Sequence, residues 1–198
     1  MIKALILDAD GVVINKKHSF SKKMAEDLEV PMQEILPFFE NEFVPCVLGK
    51  ADLKEEVQKY FAKWKWQKSV EEFLKFWFQT EHSIDNQLIN RVSNLKNQGI
   101  QLFLASNQER YRADYITHDM EFEKVFNKMF FSCQLGYAKP QREFWECVYN
   151  HMGDIPKNQI LFWDDDAENV ESAKEFGFHA ELYKNFPEFE SIMASKYA

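Results

Sequence analysis

The chain lacks the features that mark several common classes of protein. Its 198 residues include only three cysteines, and Cys46, Cys133 and Cys147 are scattered without a CxxC pair. The sequence therefore predicts neither a disulfide framework nor a zinc site. The five histidines also lack the spacing of metal ligands. We expect a reducing, cytoplasmic location.

Long apolar runs and an excess of positive charge are also missing. No run approaches the roughly 18 residues needed to suggest a membrane span, and the first residues show no signal-peptide pattern. The net charge of −8 argues against binding to nucleic acid. We expect a protein that binds neither membrane nor nucleic acid, and that attracts any anionic substrate through local cations.

Three apolar runs end abruptly in polar, mostly acidic residues. The runs are Ile2–Leu7, followed by Asp8 and Asp10; Ile100–Ala105, followed by Ser106 and Asn107; and Ile160–Trp163, followed by Asp164, Asp165 and Asp166. Such runs are typical of buried parallel strands, whose carboxyl ends form the binding crevice of an α/β sheet. Because clustered carboxylates repel each other unless a cation lies among them, we expect a divalent metal and phosphate chemistry.

The order of predicted elements indicates a doubly wound, Rossmann-like parallel sheet with a helical insertion. After the first strand, the next begins only near Gln101, much further than a βαβ crossover needs. Helices are predicted in this interval at Ser19–Glu29, Pro31–Phe43, Asp52–Lys63 and Ser69–Thr80. Downstream, strands alternate with helices, including one at Arg110–Met120. We therefore predict an α/β core at 1–14 and 85–198 and a helical cap at 15–84.

The acidic pair after the first strand has the spacing of a catalytic pair. In an extended chain Asp8 and Asp10 point to the same side. One carboxylate can attack while the other handles a proton on the leaving group. Gly11 permits a sharp turn after them. A strand-end aspartate can also serve as a turn or cap residue, and Asp166 is expected to cap the next helix.

The other two strand ends and one loop supply the remaining candidates. Asp164 and Asp165 carry the oxygen ligands that Mg²⁺ prefers. The Ser106 hydroxyl and nearby backbone N–H groups can bind phosphate, although Ser-Asn is also an ordinary helix cap. Lys139 can reach back to neutralise carboxylates and bind phosphate, although a loop lysine is more often solvated.

Four segments, in this order, resemble the motifs of the haloacid dehalogenase (HAD) superfamily. They are Leu5–Val13, Leu104–Asn107, Gly136–Pro140 and Phe162–Val170. The insertion after the first motif resembles the helical cap of the subfamily that includes sugar-phosphate phosphatases. The resemblance implies a Mg²⁺-dependent hydrolase acting on a small phosphorylated metabolite, as a monomer or homodimer.

The resemblance also implies a role for each motif residue. Asp8 would be the nucleophile that forms an aspartyl-phosphate. Asp10 would protonate the leaving oxygen and then activate water. Ser106, with Asn107 beside it, and Lys139 would hold the phosphoryl group.

The metal ligands follow from the same resemblance. Asp8 and Asp164 would bind Mg²⁺, and Asp165 would support the ion directly or through water. Asp10 would contribute its backbone carbonyl. Lys50, in the loop where the family places substrate specificity, would contact the distal part of the substrate, unless it is simply a solvent-exposed lysine.

Three other activities compete with the phosphatase hypothesis. Dehalogenases of the family lack an acid at the position of Asp10, which favours phosphoryl transfer. Mutases of the hexose-phosphate type have a histidine twelve residues after the nucleophile, where this chain has Phe20, with His18 nearby. A non-catalytic binding protein would be expected to lack one of the motif residues, and all are present here.

Overall fold

Five parallel strands form the central sheet. The computed structural model describes residues 1–16 and 19–197, so His18 lies outside the described residues. The strands are β1 (Ala4–Leu7), β2 (Gln101–Ser106), β3 (Lys128–Phe131), β4 (Ile160–Asp164) and β5 (His179–Leu182). Their order is β3-β2-β1-β4-β5, with every neighbouring pair parallel. This confirms the doubly wound sheet and places its reversal of strand order between β1 and β4.

Helices cover both faces of the sheet. In chain order the α-helices are α1 (Phe20–Leu28), α2 (Met32–Glu40), α3 (Phe43–Val47), α4 (Leu53–Gln58), α5 (Val70–Thr80), α6 (Asn86–Asn97), α7 (Arg110–Asp114), α8 (Ser132–Leu135), α9 (Arg142–Asn150), α10 (Ala167–Phe176) and α11 (Phe186–Lys196). Alternate residues of β1 face opposite sides of the sheet. Leu5 and Leu7 belong to the core formed with α6, α7 and α11, whereas Ala4 and Ile6 belong to the core formed with α9 and α10.

The insertion between β1 and α6 has a hydrophobic core of its own. Helices α1 to α5 surround a cluster rich in aromatic side chains, in which Phe38, Trp64 and Phe73 are fully buried. The two ends of the insertion meet in an antiparallel bridge between Ile14 and Ile84. The bridge lies at the predicted boundaries of the cap, and the division into 1–14, 15–84 and 85–198 stays a prediction.

The helix predicted at Pro31–Phe43 is present as α2 but ends earlier, at Glu40, and a separate short helix, α3, begins at Phe43. The side chain of Asn41 donates a 2.7 Å hydrogen bond to the carbonyl of Pro37, and the Asn41 backbone N–H donates to the same carbonyl. This local bonding ends the helix, since Asn competes for backbone groups outside helical geometry. The described part of the insertion therefore contains five helices rather than four.

Two other predicted helices differ from the structure, one in its length and one in its helix type. The helix predicted at Asp52–Lys63 ends after α4, and the chain then turns inward so that the buried Trp64 indole donates to the carbonyl of Glu34 at 3.0 Å. The helix predicted at Arg110–Met120 continues from α7 as a π-helical turn. There the Thr117 hydroxyl donates to the carbonyl four residues earlier at 2.7 Å. By contrast, the helix predicted at Ser69–Thr80 is confirmed as α5, which begins with a capping box between Ser69 and Glu72.

Candidate active site

The carboxyl ends of three adjacent strands place polar side chains in one buried crevice. Asp8 follows β1 directly, Ser106 ends β2 and Asp164 ends β4. Leu7 pairs in register with residues of both β2 and β4, so the chain positions that follow lie side by side. The exposed fractions of Asp8, Ser106 and Asp164 are only 7%, 2% and 0%. The structure thus brings these sequence-predicted residues together.

Lys139 lies at the centre of this crevice. Its side-chain nitrogen donates to Asp8 Oδ1 at 2.7 Å, to Asp164 Oδ2 at 2.6 Å and to the backbone carbonyl of Ala105 at 2.9 Å. Only 1% of the Lys139 side chain is exposed. The lysine is therefore a buried member of the cluster and not a solvated loop residue.

Burial changes the protonation equilibria of this cluster. It raises the pKa of the Asp8 carboxyl to about 7; the Lys139 ammonium opposes that shift, and the Asp164 carboxylate adds to it. Burial alone would lower the pKa of Lys139, but the two facing carboxylates outweigh it and raise that pKa above its ordinary value. The ammonium form of Lys139 is therefore strongly favoured.

Three carboxylates form a group that could bind a cation. One ligand oxygen from each of Asp8, Asp164 and Asp165 lies within 4.8 Å of the others. Asp164 is fixed by hydrogen bonds from the backbone N–H of Asp166 at 2.8 Å and the side chain of Asn169 at 3.2 Å. All three donors are hard oxygen atoms, which fit Mg²⁺ or a similar cation better than a thiolate-preferring metal.

The Asp10 carboxylate does not belong to this group of three. It accepts a 2.5 Å hydrogen bond from the side chain of Gln108 and lies 3.5 Å from Nη2 of Arg112. Gln108 also donates to the hydroxyl of Ser106 at 3.1 Å. Asp10 is thus held at the mouth of the crevice, and its backbone carbonyl as a metal ligand stays a prediction.

Asn107 bonds to the loop that carries Lys139, whereas the sequence predicts a contact with the substrate. Its side chain donates to the carbonyl of Lys139 at 3.0 Å and accepts from the backbone N–H of Lys139 at 2.9 Å. These two bonds fix the loop that carries the lysine. The structure therefore gives Asn107 an indirect function through Lys139, and direct substrate contact stays a prediction.

The structure does not bring Lys50 to the crevice. Lys50 is exposed and lines a separate cavity with Asp52, Glu109 and Arg110. Its loop is anchored through the Ser132 hydroxyl, which donates to the carbonyl of Val47 at 2.7 Å and accepts from the backbone N–H of Gln108 at 3.0 Å. The contact between Lys50 and the substrate stays a prediction.

A cavity of about 460 Å³ opens beside Asp10. Its described lining residues include Asp10, Asn15, Lys16, Phe20, Phe39, Phe43, Trp77, Glu81 and Arg112. Burial and the nearby Asp10 raise the pKa of the Glu81 carboxyl, while Arg112 opposes this change. The cavity therefore adjoins the predicted acid and is large enough for a small molecule.

Sequence reasoning missed several residues of this region. Gln108 directly follows the Ser106-Asn107 motif and Arg112 lies in the helix after it, and this proximity in sequence is their only signal. Glu81 has no signal in the sequence, because it lies at the end of a cap helix. Trp77 is the middle one of three consecutive aromatic residues, which cannot all face the interior on one helix, and it lines the cavity.

Comparison with known proteins agrees with this geometry. The haloacid dehalogenase-like hydrolase family model matches residues 2–177, and the chain therefore belongs to this family of hydrolases. A phosphorylated carbohydrates phosphatase of Thermotoga maritima is 24% identical over 187 residues, covering 89% of this chain and 82% of the relative.

Solved structures of the same family have the same fold. A HAD family enzyme from Bacteroides thetaiotaomicron superposes with a TM-score of 0.83 at 18% identity, covering 97% of this chain and 98% of that one. A predicted HAD-like family hydrolase from Porphyromonas gingivalis gives 0.80 at 20% identity, covering 99% and 100%. Within the described residues, no helix has both the length and the apolar character to cross a membrane.

Proposed function

We propose that the protein is a Mg²⁺-dependent phosphatase that hydrolyses a small phosphorylated metabolite, most directly a sugar phosphate, through an aspartyl-phosphate. The observation that carries this proposal is the buried contact of Asp8 with Lys139 beside a second acid, Asp10, at the mouth of a cavity. The Thermotoga relative is named for phosphorylated carbohydrates, and the Bacteroides enzyme has been solved with magnesium and inorganic phosphate. The first name supports the proposed substrate class, and the second supports the metal and the phosphate chemistry.

The acidic group supplies the metal site of this proposal. Asp8, Asp164 and Asp165 would hold Mg²⁺, with the backbone carbonyl of Asp10 as a further ligand. When bound, the ion would offset negative charge on the phosphoryl oxygens. Lys139 contributes a fixed positive charge to the same region.

Transfer of the phosphoryl group to the protein is the first half of the reaction. A carboxylate oxygen of Asp8 forms a bond to phosphorus as the bond from phosphorus to the ester oxygen breaks. Asp10 gives its proton to that departing oxygen, which leaves as an alcohol. The Ser106 hydroxyl orients the phosphoryl oxygens, and the Lys139 ammonium, whose protons bond to Asp8, Asp164 and Ala105, attracts them through its charge.

Hydrolysis of the aspartyl-phosphate is the second half. Asp10, now a carboxylate, takes a proton from water as the water oxygen bonds to phosphorus. The bond between phosphorus and the Asp8 oxygen breaks, and inorganic phosphate leaves. Gln108 keeps Asp10 in position for both proton transfers through its 2.5 Å hydrogen bond.

The test is phosphate release from a panel of phosphorylated metabolites, with Mg²⁺ and with a chelator. We expect Mg²⁺-dependent turnover of at least one sugar phosphate and its loss in Asp8→Asn. Asp154→Asn, an exposed loop substitution, is the matched control. The proposal is wrong if folded protein releases no phosphate from any compound, or if Asp8→Asn retains the activity.

The same assay separates the alternatives. A phosphomutase would require a bisphosphate activator and would release phosphate slowly. A non-catalytic binding protein would bind the compounds and release none. Phe20, at the position of the mutase histidine, is buried in the cap core, where it stacks on Trp77 with ring centres 4.8 Å apart.

A further inference from the structure

We propose that Arg112 and Glu81 bind the hydroxyl groups of a neutral, polyhydroxylated leaving group in the cavity beside Asp10. This inference rests on the proposed phosphatase function and deepens it. It assigns substrate specificity to two residues outside the four motif segments. One belongs to α7 of the core, and the other follows α5 of the cap.

Arg112 is a buried donor with unused hydrogen-bonding capacity. It is only 4% exposed, and Nη1 donates to the carbonyl of Phe78 at 3.3 Å. Its guanidinium lies 5.5 Å from the ring centres of both Phe78 and Tyr115. Among the described residues, Nε and Nη2 have no hydrogen-bond partner, although Nη2 approaches Asp10 Oδ1 to 3.5 Å. Because unpaired buried donors are unfavourable, the cavity is suited to a ligand that supplies acceptors.

Glu81 supplies the complementary acceptor. Its Oε1 accepts from the backbone N–H of Phe20 at 3.2 Å, and its Oε2 accepts from the indole N–H of Trp77 at 2.9 Å. These bonds fix the carboxylate at the cavity wall. Each carboxylate oxygen can accept a second hydrogen bond, so Glu81 can receive one from a ligand hydroxyl. A hydroxyl group both donates and accepts, and it therefore suits an arginine and a glutamate in one cavity.

The rest of the lining favours a sugar over a second anionic group. The aromatic rings of Phe39, Phe43 and Trp77 offer apolar surface to the C–H face of a sugar ring. The charged side chains among the described lining residues are two acids and two bases: Asp10, Lys16, Glu81 and Arg112. Lys16 already contacts Asp165. A second phosphate or carboxylate would therefore meet Glu81 and Asp10 with little excess positive charge to receive it.

The test compares two kinds of leaving group in the Mg²⁺-loaded protein. We measure kcat/KM for aldohexose 1- and 6-phosphates and for cyclohexylmethyl phosphate, whose leaving group is also an alcohol but has no sugar hydroxyls. p-Nitrophenyl phosphate, whose leaving group needs no proton from Asp10, serves only as a general substrate for activity. In Arg112→Met we expect the ratio of the best sugar phosphate to cyclohexylmethyl phosphate to fall at least tenfold. Arg112→Lys retains the charge but not the planar guanidinium, so its ratio should fall less. Arg91→Met, which removes a surface ion pair with Glu190, should leave the ratio unchanged.

A purely structural role for Arg112 gives a different result. If Arg112 acts only by holding Asp10, both substrates lose activity together and the ratio stays constant, which overturns the proposal. A preference for hexose bisphosphates over monophosphates would also overturn it, in favour of an anionic leaving group.

Deoxy analogues give a test that needs no substitution. With the unmodified protein, removal of at least one sugar hydroxyl should lower kcat/KM about tenfold or more, and the same removal should cost much less in Arg112→Lys. Equal activity on all deoxy analogues would contradict the proposal even if Arg112→Met did not fold. Absence of turnover on every substrate, including p-nitrophenyl phosphate, would instead refute the phosphatase function and this inference with it.

Discussion

Lys139 uses all of its hydrogen-bonding capacity inside the protein. Its three ammonium protons match three acceptors, on Asp8, Asp164 and Ala105. A buried charge is tolerated only when it is paired and fully hydrogen-bonded. The side chain of Asn107 fixes the same residue through its backbone N–H and carbonyl. A single lysine is thus held from both ends and sets the distance between two strand-end carboxylates.

Gly11 leaves room for the side chain of Asp165. Its φ of +94° favours glycine, and a Cβ atom there would overlap the Asp165 carboxylate. We expect Gly11→Ala to lower the free energy of unfolding by about 2–3 kcal/mol, from unfavourable φ and the steric clash together. Phosphate release should fall at least tenfold because Asp165 must move. Urea unfolding and the phosphate assay measure the two effects.

Gly153 provides the matched control for Gly11. It also has a positive φ, of +73°, but among the described residues no heavy atom outside its two chain neighbours lies within 4 Å of an added Cβ. Gly153→Ala should cost only the conformational strain, about 1 kcal/mol, with activity retained. Equal losses of stability in the two variants, with activity intact in both, would show that the contact with Asp165 has no effect.

At the scale of elements, the parts of the site that the sequence predicts are the ends of strands. The proximity of Asp8, Ser106 and Asp164 could be predicted, because an apolar run both defines a parallel strand and places its last residue at a common edge of the sheet. The positions of Arg112 and Glu81 could not be predicted, because they depend on how α7 and the cap helices pack. The position of Lys50 also depends on packing: the resemblance implies a contact with the substrate, the residue lines another cavity in the structure, and the contact stays a prediction.

The start of α7 gives a prediction about pH and stability. Glu109 is almost fully buried and accepts hydrogen bonds from the backbone N–H groups of Tyr111, at 2.8 Å, and Arg112. Burial raises its pKa from 4.5 to about 7, although these bonds act to lower it. The folded state therefore holds this proton more tightly than the unfolded state. The stabilisation from the protonated carboxyl is complete below pH 4.5 and is lost as the pH rises to 7.

Glu109→Gln removes this titration while keeping an acceptor at the helix start. The stability of the wild type relative to the variant should fall by up to about 3 kcal/mol between pH 4.5 and 7. Urea unfolding at several pH values measures the difference. Glu143→Gln, at an exposed site in the first turn of α9, is the control for a change of surface charge. Parallel pH curves for wild type and Glu109→Gln would contradict the prediction.

At the scale of the whole molecule, the two hydrophobic units contribute different parts of the proposed function. The ends of the sheet strands supply the carboxylates and the loop between α8 and α9 supplies the lysine, whereas the helical insertion supplies Phe20, Trp77 and Glu81 to the cavity wall. Contacts join the two units near α7, where the hydroxyl of Tyr111 donates to Asp52 at 2.9 Å. Substitution within the insertion can therefore change the leaving group without altering the residues that react with phosphate.

The acidic group couples Mg²⁺ to the stability of the whole chain. A ligand that binds only the folded state raises the free energy of unfolding by about 2.7 kcal/mol at one hundred times its Kd. We expect this increase for the wild type when Mg²⁺ is added at constant ionic strength. The increase should shrink clearly in Asp165→Asn, because that variant loses one of three carboxylates that lie within 4.8 Å of one another.

A control variant at Asp166, next to Asp165, tests whether the Mg²⁺ response is specific to the site. Asp166 carries the same charge but caps α10 by accepting from the backbone N–H of Glu168 at 2.8 Å. Asparagine is an equally good cap, so Asp166→Asn should keep the full response to Mg²⁺. Urea unfolding across a Mg²⁺ titration distinguishes the two variants. If the two variants lose the Mg²⁺ response equally, the general negative charge of this surface attracts the ion, and the prediction is wrong. If only Asp165→Asn loses the response, the cation is bound by the three carboxylates at the strand ends.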